Sequence, residues 1–288
     1  MKKTHLIYLF LLSASCSSFA SETNCLKDSI QINELNNFIL FEETSPYDSL
    51  KEMRIRTKGS DDYLNEDSTV KFDDCGALLS LQGNQTKKFK NNDHVLISTS
   101  QINMNKIGKG WDYEFGFKMF IVDKDGTEID LVQQKSKGKY LTNEEGKIHK
   151  SIENSNVVVS GEETKGTSET KYKINEYGKL SESIRLGTLE TDNSTKKYFY
   201  DENGRLIKSQ TELTTEEFSY DEMGRELSIK SVQKLFTTET SITTCRSWND
   251  SGRCTKAEKN ATTFFKGVHG QKDEKRTNQA EIEFDFVY

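Results

Sequence analysis

Tyr200-Asp201-Glu202-Asn203-Gly204-Arg205-Leu206 and Tyr220-Asp221-Glu222-Met223-Gly224-Arg225-Glu226-Leu227 decide the fold. Each stretch sets an aromatic residue before four turn residues and a cation after them. Asp201 and Asp221 suit the first turn position, where a carboxylate accepts hydrogen bonds from backbone N–H groups two or three residues on. Two residues then turn in the right-handed region. Gly204 and Gly224 take the left-handed position that closes a type I turn with a bulge. The aromatic before the turn and the apolar residue after it then face each other across a hairpin.

The same pattern appears elsewhere. Phe72-Asp73-Asp74-Cys75-Gly76-Ala77-Leu78, Val122 to Ile129, Thr142 to Ile148 and Ile174 to Leu180 share it, and Trp248-Asn249-Asp250-Ser251-Gly252-Arg253-Cys254 is the last copy. The repeat is irregular: 20 residues separate Gly126 from Gly146, and 32 separate Gly146 from Gly178. Between the turns the chain alternates as strands do. Tyr113, Phe115, Phe117 and Met119 share one face of their segment, and Ile282, Phe284, Phe286 and Tyr288 share one face of the last. About fifteen strands are expected. No amphipathic helix is expected beyond a turn near Asp28–Asn36. The fold class is therefore all-β: an antiparallel meander of hairpin repeats forming a twisted sheet or an open barrel-like stack.

The last strand resembles the closing strand of an outer-membrane barrel. Such barrels carry an outward apolar face on every strand. Segments 171–175 and 208–215 have none, so the better expectation is a water-soluble sheet sealed by its last strand.

Residues 1–20 read as a signal peptide. Lys2 and Lys3 precede the apolar run Leu6 to Leu12, which is too short to span a bilayer. Ser18-Phe19-Ala20 suits a signal peptidase and would start the mature chain at Ser21. Ser13-Ala14-Ser15-Cys16 competes with it as a lipoprotein-type site, with Cys16 the acyl-bearing residue. The envelope domain is 21–288; the loop-like stretch 161–168 reads equally as a subdivision between two halves or as part of one continuous sheet.

Of 288 residues, 33% are hydrophobic and 30% charged. So little apolar material predicts a thin core that benefits from covalent staples. After Ala20 four cysteines remain: Cys25, Cys75, Cys245 and Cys254. An even number in an exported chain argues for disulfides. Chain order favours Cys25–Cys75 and Cys245–Cys254. One conflict arises. A two-residue loop at Asn249-Asp250 puts Cys245 opposite Cys254, whereas the Asx-x-x-Gly register pairs Asn249 with Arg253 and sets Trp248 opposite Cys254. Both hold only with distortion.

Without Lys2 and Lys3 the chain has 40 − 2 = 38 basic against 46 acidic residues, a net charge of −8. This balance argues against nucleic acid as a partner. Thr86-Lys87-Lys88-Phe89-Lys90 is locally basic and reads as a solvated loop. His94, His149 and His269 stand alone, with no metal-ligand spacing. Asp123, Asp125 and Asp130 lack the remaining oxygen ligands of a calcium loop. No nucleophile elbow or phosphate loop occurs, so no catalytic residue, metal or cofactor is expected.

Tyr-Asp-x-x-Gly-Arg at 200–205 and 220–225 resembles the YD repeat of Rhs-type proteins, where many such hairpins coil into a shell around a toxin. Two near-consensus copies are too few for a shell. A broader resemblance is to the YnfC-like family of small lipoproteins of Gram-negative envelopes. It is carried by Asp73-Asp74-Cys75 with Leu78-Leu79-Ser80-Leu81, by Cys245 and Cys254 around Trp248-Asn249-Asp250, and by the strand Ile282 to Tyr288. That resemblance implies a β-rich envelope domain anchored through a lipidated cysteine, and it implies no catalytic residues. The expected function is a non-enzymatic binding or scaffolding module, in the periplasm or lipid-anchored at the envelope membrane. Its partner would be another envelope protein or a surface glycan. The alternative is a Rhs-linked accessory or immunity protein.

Overall fold

The computed structural model describes residues 25–42, 49–90, 94–189, 192–235, 237–266 and 273–288. The leader, Cys16 and His269 lie outside these described residues. Among the described residues one α-helix, α1 (Lys27–Phe41), precedes sixteen strands. The first eight are β1 (Glu52–Gly59), β2 (Leu64–Phe72), β3 (Leu78–Lys90), β4 (His94–Ile107), β5 (Gly110–Asp123), β6 (Glu128–Thr142), β7 (Ile148–Val159) and β8 (Glu162–Ile174). The others are β9 (Leu180–Gly187), β10 (Ser194–Tyr200), β11 (Leu206–Gln210), β12 (Thr214–Tyr220), β13 (Glu226–Lys234), β14 (Thr238–Trp248), β15 (Cys254–Phe265) and β16 (Glu274–Val287).

Each strand pairs antiparallel with the next, and β16 returns to pair with β1, from Glu52 opposite Val287 to Gly59 opposite Ala280. The all-β meander thus closes into a barrel, and closure removes the edges an open stack would expose. The wall is continuous through 161–168, where β8 pairs with β7 and β9. Thr86 to Lys90, read from sequence as a solvated loop, is the end of β3. Its alternation turns Lys87 and Phe89 inward, and Phe89 packs on Tyr63 at 5.6 Å and Phe265 at 5.4 Å.

Strand alternation separates two environments. On β1, Met53 and Thr57 are buried while Arg54, Arg56 and Lys58 are exposed. On β6, Ser136 and Gly138 are buried while Lys135, Lys137 and Lys139 are exposed. On β16, Glu281, Glu283 and Asp285 face out, and Phe284 and Phe286 turn toward the core.

Seven of the hairpins use the turn seen in the sequence. Asp201 Oδ1 accepts from Asn203 N at 3.0 Å and Arg205 N at 2.8 Å, and Gly204 sits at φ +71°. Asp221 and Asn249 do the same for their turns, with Gly224 at φ +79° and Gly252 at φ +76°. The acceptor reaches residues two and four on, one further than expected. Directly after the turn one strand residue is bulged: Tyr200 pairs with Leu206, but Phe199 pairs with Lys208.

The flanking residues link successive hairpins. Arg205 lies over the Tyr220 ring at 4.6 Å and Arg225 over the Trp248 ring at 4.3 Å, a cation–π contact in each case. Lys179 lies over Tyr200 at 5.4 Å. Tyr200 Oη donates to Leu180 O and Tyr220 Oη donates to Leu206 O, both at 2.7 Å. The aromatic–Asx–x–x–Gly–cation pattern is therefore a hairpin that also carries its own connector to the next one.

Six of these seven turns lie at one end of the barrel, and α1 packs across that end. Sixteen strands enclose a lumen wide enough for water if left open. Here Leu35, Ile39 and Leu40 pack with Met53, Leu78, Ile148, Leu180 and Leu206. The helix is longer than the expected turn, and its sequence hides it. Asn36 and Asn37, 2% and 0% exposed, occupy positions an amphipathic pattern would fill with apolar residues. Their amides complete the wall instead. Asn37 donates to Gly76 O at 2.7 Å and accepts from Leu78 N at 3.2 Å. Asn36 donates to Gly146 O at 2.9 Å and accepts from Ile148 N at 2.8 Å.

Cys25 and Cys75 form a disulfide that ties the start of α1 to the β2–β3 turn. Cys245 and Cys254 form the second. The register conflict is resolved by accommodating both demands. Asn249 N donates to Arg253 O and Trp248 pairs with Cys254, while two register shifts between Cys245 and Trp248 bring the cysteine Cα atoms to 5.8 Å.

Candidate functional site

The register across β4 to β9 builds a trench on the outer wall. Inward-pointing residues leave bare backbone outside, flanked by two rows of outward side chains. One row pairs Asn105, Asp112, Lys139, Ile152, Glu169 and Leu186 in succession. The other brings together Asn103, Glu114, Lys137, Asn154 and Thr167, and Thr188 N donates to Thr167 O at 2.9 Å. The floor between them is the backbone of Tyr113, Gly138, Glu153, Ser168 and Gly187. Two shallow concavities lie along it and meet at Ile152 and Asn154. Gly138 is required by a close approach: an added Cβ would fall 2.3 Å from the Tyr113 ring beneath the wall.

The trench spans six strands. At about 4.8 Å per strand it is roughly 24 Å long. Its charges pair among themselves: Lys137 with Glu114 at 2.6 Å, Lys139 with Asp112 at 3.5 Å, Lys150 with Glu169 at 3.4 Å. Ile152 and Leu186, 40% and 63% exposed, form an apolar ledge at the β7–β9 end. On the next outward row, Asn156 Oδ1 is enclosed without a hydrogen-bond donor.

Beneath the floor lies a buried polar cluster. Arg185 binds Glu153 at 2.7 Å and Asp192 at 3.1 Å, and Tyr113 Oη donates to Glu153. Burial pushes the Glu153 carboxyl up, but the hydrogen bonds of Arg185, Tyr113 and Ser155 outweigh it and hold it below the usual carboxylate range. A second cluster sits further round the inner wall. Glu239 holds Lys87 and Lys259, the latter at 3.3 Å, and accepts from Tyr63 Oη at 2.9 Å. Burial again opposes ionisation, and Lys87 and Lys259 again bring the Glu239 carboxyl down. Both carboxylates are thus committed to structural cations.

Residues singled out in the sequence separate into turns and staples. Asp201, Gly204, Asp221, Gly224, Asn249 and Gly252 shape the plugged end, away from the trench floor. Asp123 Oδ1 is taken up by the backbone of Asp125 and Thr127 at 2.9 and 2.8 Å. His94 and His149 are exposed. Among the described residues no three His, Cys, Asp or Glu side chains gather as metal ligands. Sequence reasoning missed the trench, because it exists only once five strand pairings are in register.

No family model matches the sequence, and no curated protein matches it. Among solved structures the chain is similar to a porin-like protein from Bacteroides uniformis. That likeness has a TM-score of 0.43 at 11% identity and covers 85% of this chain and 99% of that one.

Proposed function

We propose that the protein is a non-enzymatic binding module of the cell envelope that works from the outer wall of a plugged, water-facing barrel. The observation that carries this is the distribution of charge. Arg54, Arg56, Lys135, Lys137, Lys139, Glu281 and Glu283 face outward in mid-strand and are exposed. A lipid-facing wall would carry a penalty of roughly 2–4 kcal/mol for each Arg or Lys at the bilayer midplane. Helix α1 crosses one mouth, and the buried carboxylates are occupied by cations. The trench is then the surface on which a partner fits. The exported leader sets the barrel in the periplasm, and acylation of Cys16 would hold it at the membrane surface. The YD-type turns have a full structural account in the hairpin links, so they do not favour a toxin-linked role.

Retention of the mature chain on washed envelope fractions tests the reading. Wild type should be retained saturably, Ile152→Trp should lose retention, and Ile242→Trp, on the outer face of β14, should keep it. Absence of saturable retention, or equal loss in both variants, would overturn the proposal.

A further inference from the structure

We infer that the trench across β4 to β9 binds a neutral, unbranched glycan. This deepens the surface-binding reading and rests on it. The trench is linear and about 24 Å long, which suits a polymer rather than a small molecule. A peptide strand is the other linear ligand, and the fold disfavours it. Peptides add to sheets through free edges, this barrel is closed, and the trench runs across the strands, where no ladder hydrogen bonds are open. A glycan needs side-chain partners alone.

Those partners are present. Asn103, Asn105 and Asn154 supply amides, and Thr167 and Thr188 supply hydroxyls. On the outward row beside the trench, Asn156 Oδ1 is an enclosed acceptor lacking a donor. Its complement is a ligand O–H or N–H group, because a buried acceptor left unpaired is costly. Within the trench Lys137 pairs with Glu114 and Lys139 with Asp112, so its two lysines are balanced by carboxylates and present no net positive field to a polyanion. Ile152 and Leu186 offer a ledge for the C–H face of a sugar ring or an acetyl methyl group.

The test is isothermal titration of the mature, disulfide-bonded protein with an N-acetylglucosamine hexamer, a glucose hexamer of the same length, and a sulfated glycan. At least one neutral hexamer should bind. Asn154→Trp should weaken it by about tenfold or more, a change of about 1.4 kcal/mol. Ile242→Trp should bind as wild type does. A urea melt confirms that each variant is folded, and Asn154→Ala, which removes the amide without filling the trench, should weaken binding in the same direction. Binding of the sulfated glycan alone, binding unaffected by Asn154→Trp and Asn154→Ala, or no binding of either neutral hexamer would overturn the inference. If neither hexamer binds while envelope retention still depends on Ile152, the glycan assignment falls and the surface-binding reading stands.

Discussion

Glu239→Ala should destabilise the barrel by about 3 kcal/mol or more, because removing one member of a buried ionic cluster strands the others. Among the described residues Glu239 is the one carboxylate that Lys87 and Lys259 share, and its side chain is 9% exposed. Tyr63 loses its acceptor in the same step. Urea unfolding at neutral pH measures the effect. The double variant Glu239→Leu, Lys87→Met should be less destabilised than Glu239→Ala alone, since it removes a stranded charge along with its partner. Acid should act in the same direction. Folded Glu239 and Glu153 titrate below the ordinary glutamate value of 4.5. Their contribution is complete above the unfolded value and is lost as pH falls through the folded one. Glu239→Gln should therefore flatten the stability profile on the acid side. An unchanged urea midpoint for Glu239→Ala would show that the cluster contributes nothing net.

The second large effect lies in the staples. Cys25 and Cys75 close a loop of 50 residues, Cys245 and Cys254 one of 9. Chain-entropy reasoning assigns about 4 kcal/mol to the first and about 2.5 kcal/mol to the second. The double Cys25→Ser, Cys75→Ser should therefore unfold at distinctly lower denaturant than Cys245→Ser, Cys254→Ser. It also frees the start of α1 from the β2–β3 turn, although Asn36, Asn37 and the apolar face of the helix still hold the plug. The reverse order of stabilities would contradict the view that the plug is the element most in need of a covalent tie.

The hairpins were legible in the sequence because their information is local. Asp201 and Gly204, or Asn249 and Gly252, specify a turn within four residues, and alternation in Tyr113 to Met119 names the inner face without help from elsewhere. Closure was not legible, since it rests on β1 meeting β16 across more than two hundred residues of chain. The helix was obscured by its own solution to burial: asparagines stand where apolar residues are looked for, and they pay their way with wall hydrogen bonds. Lys87 looked like part of a basic surface because Glu239, its partner, lies 152 residues away. The Cys245 register conflict was visible, but its resolution by paired register shifts was not.

The most direct test of the account is the behaviour of the mature chain without detergent. Purified in aqueous buffer with both disulfides formed, it should be monodisperse, rich in β-structure by circular dichroism, and silent when added to a planar lipid bilayer. A chain that aggregates until detergent is supplied, or that inserts and conducts ions, would contradict the water-facing barrel.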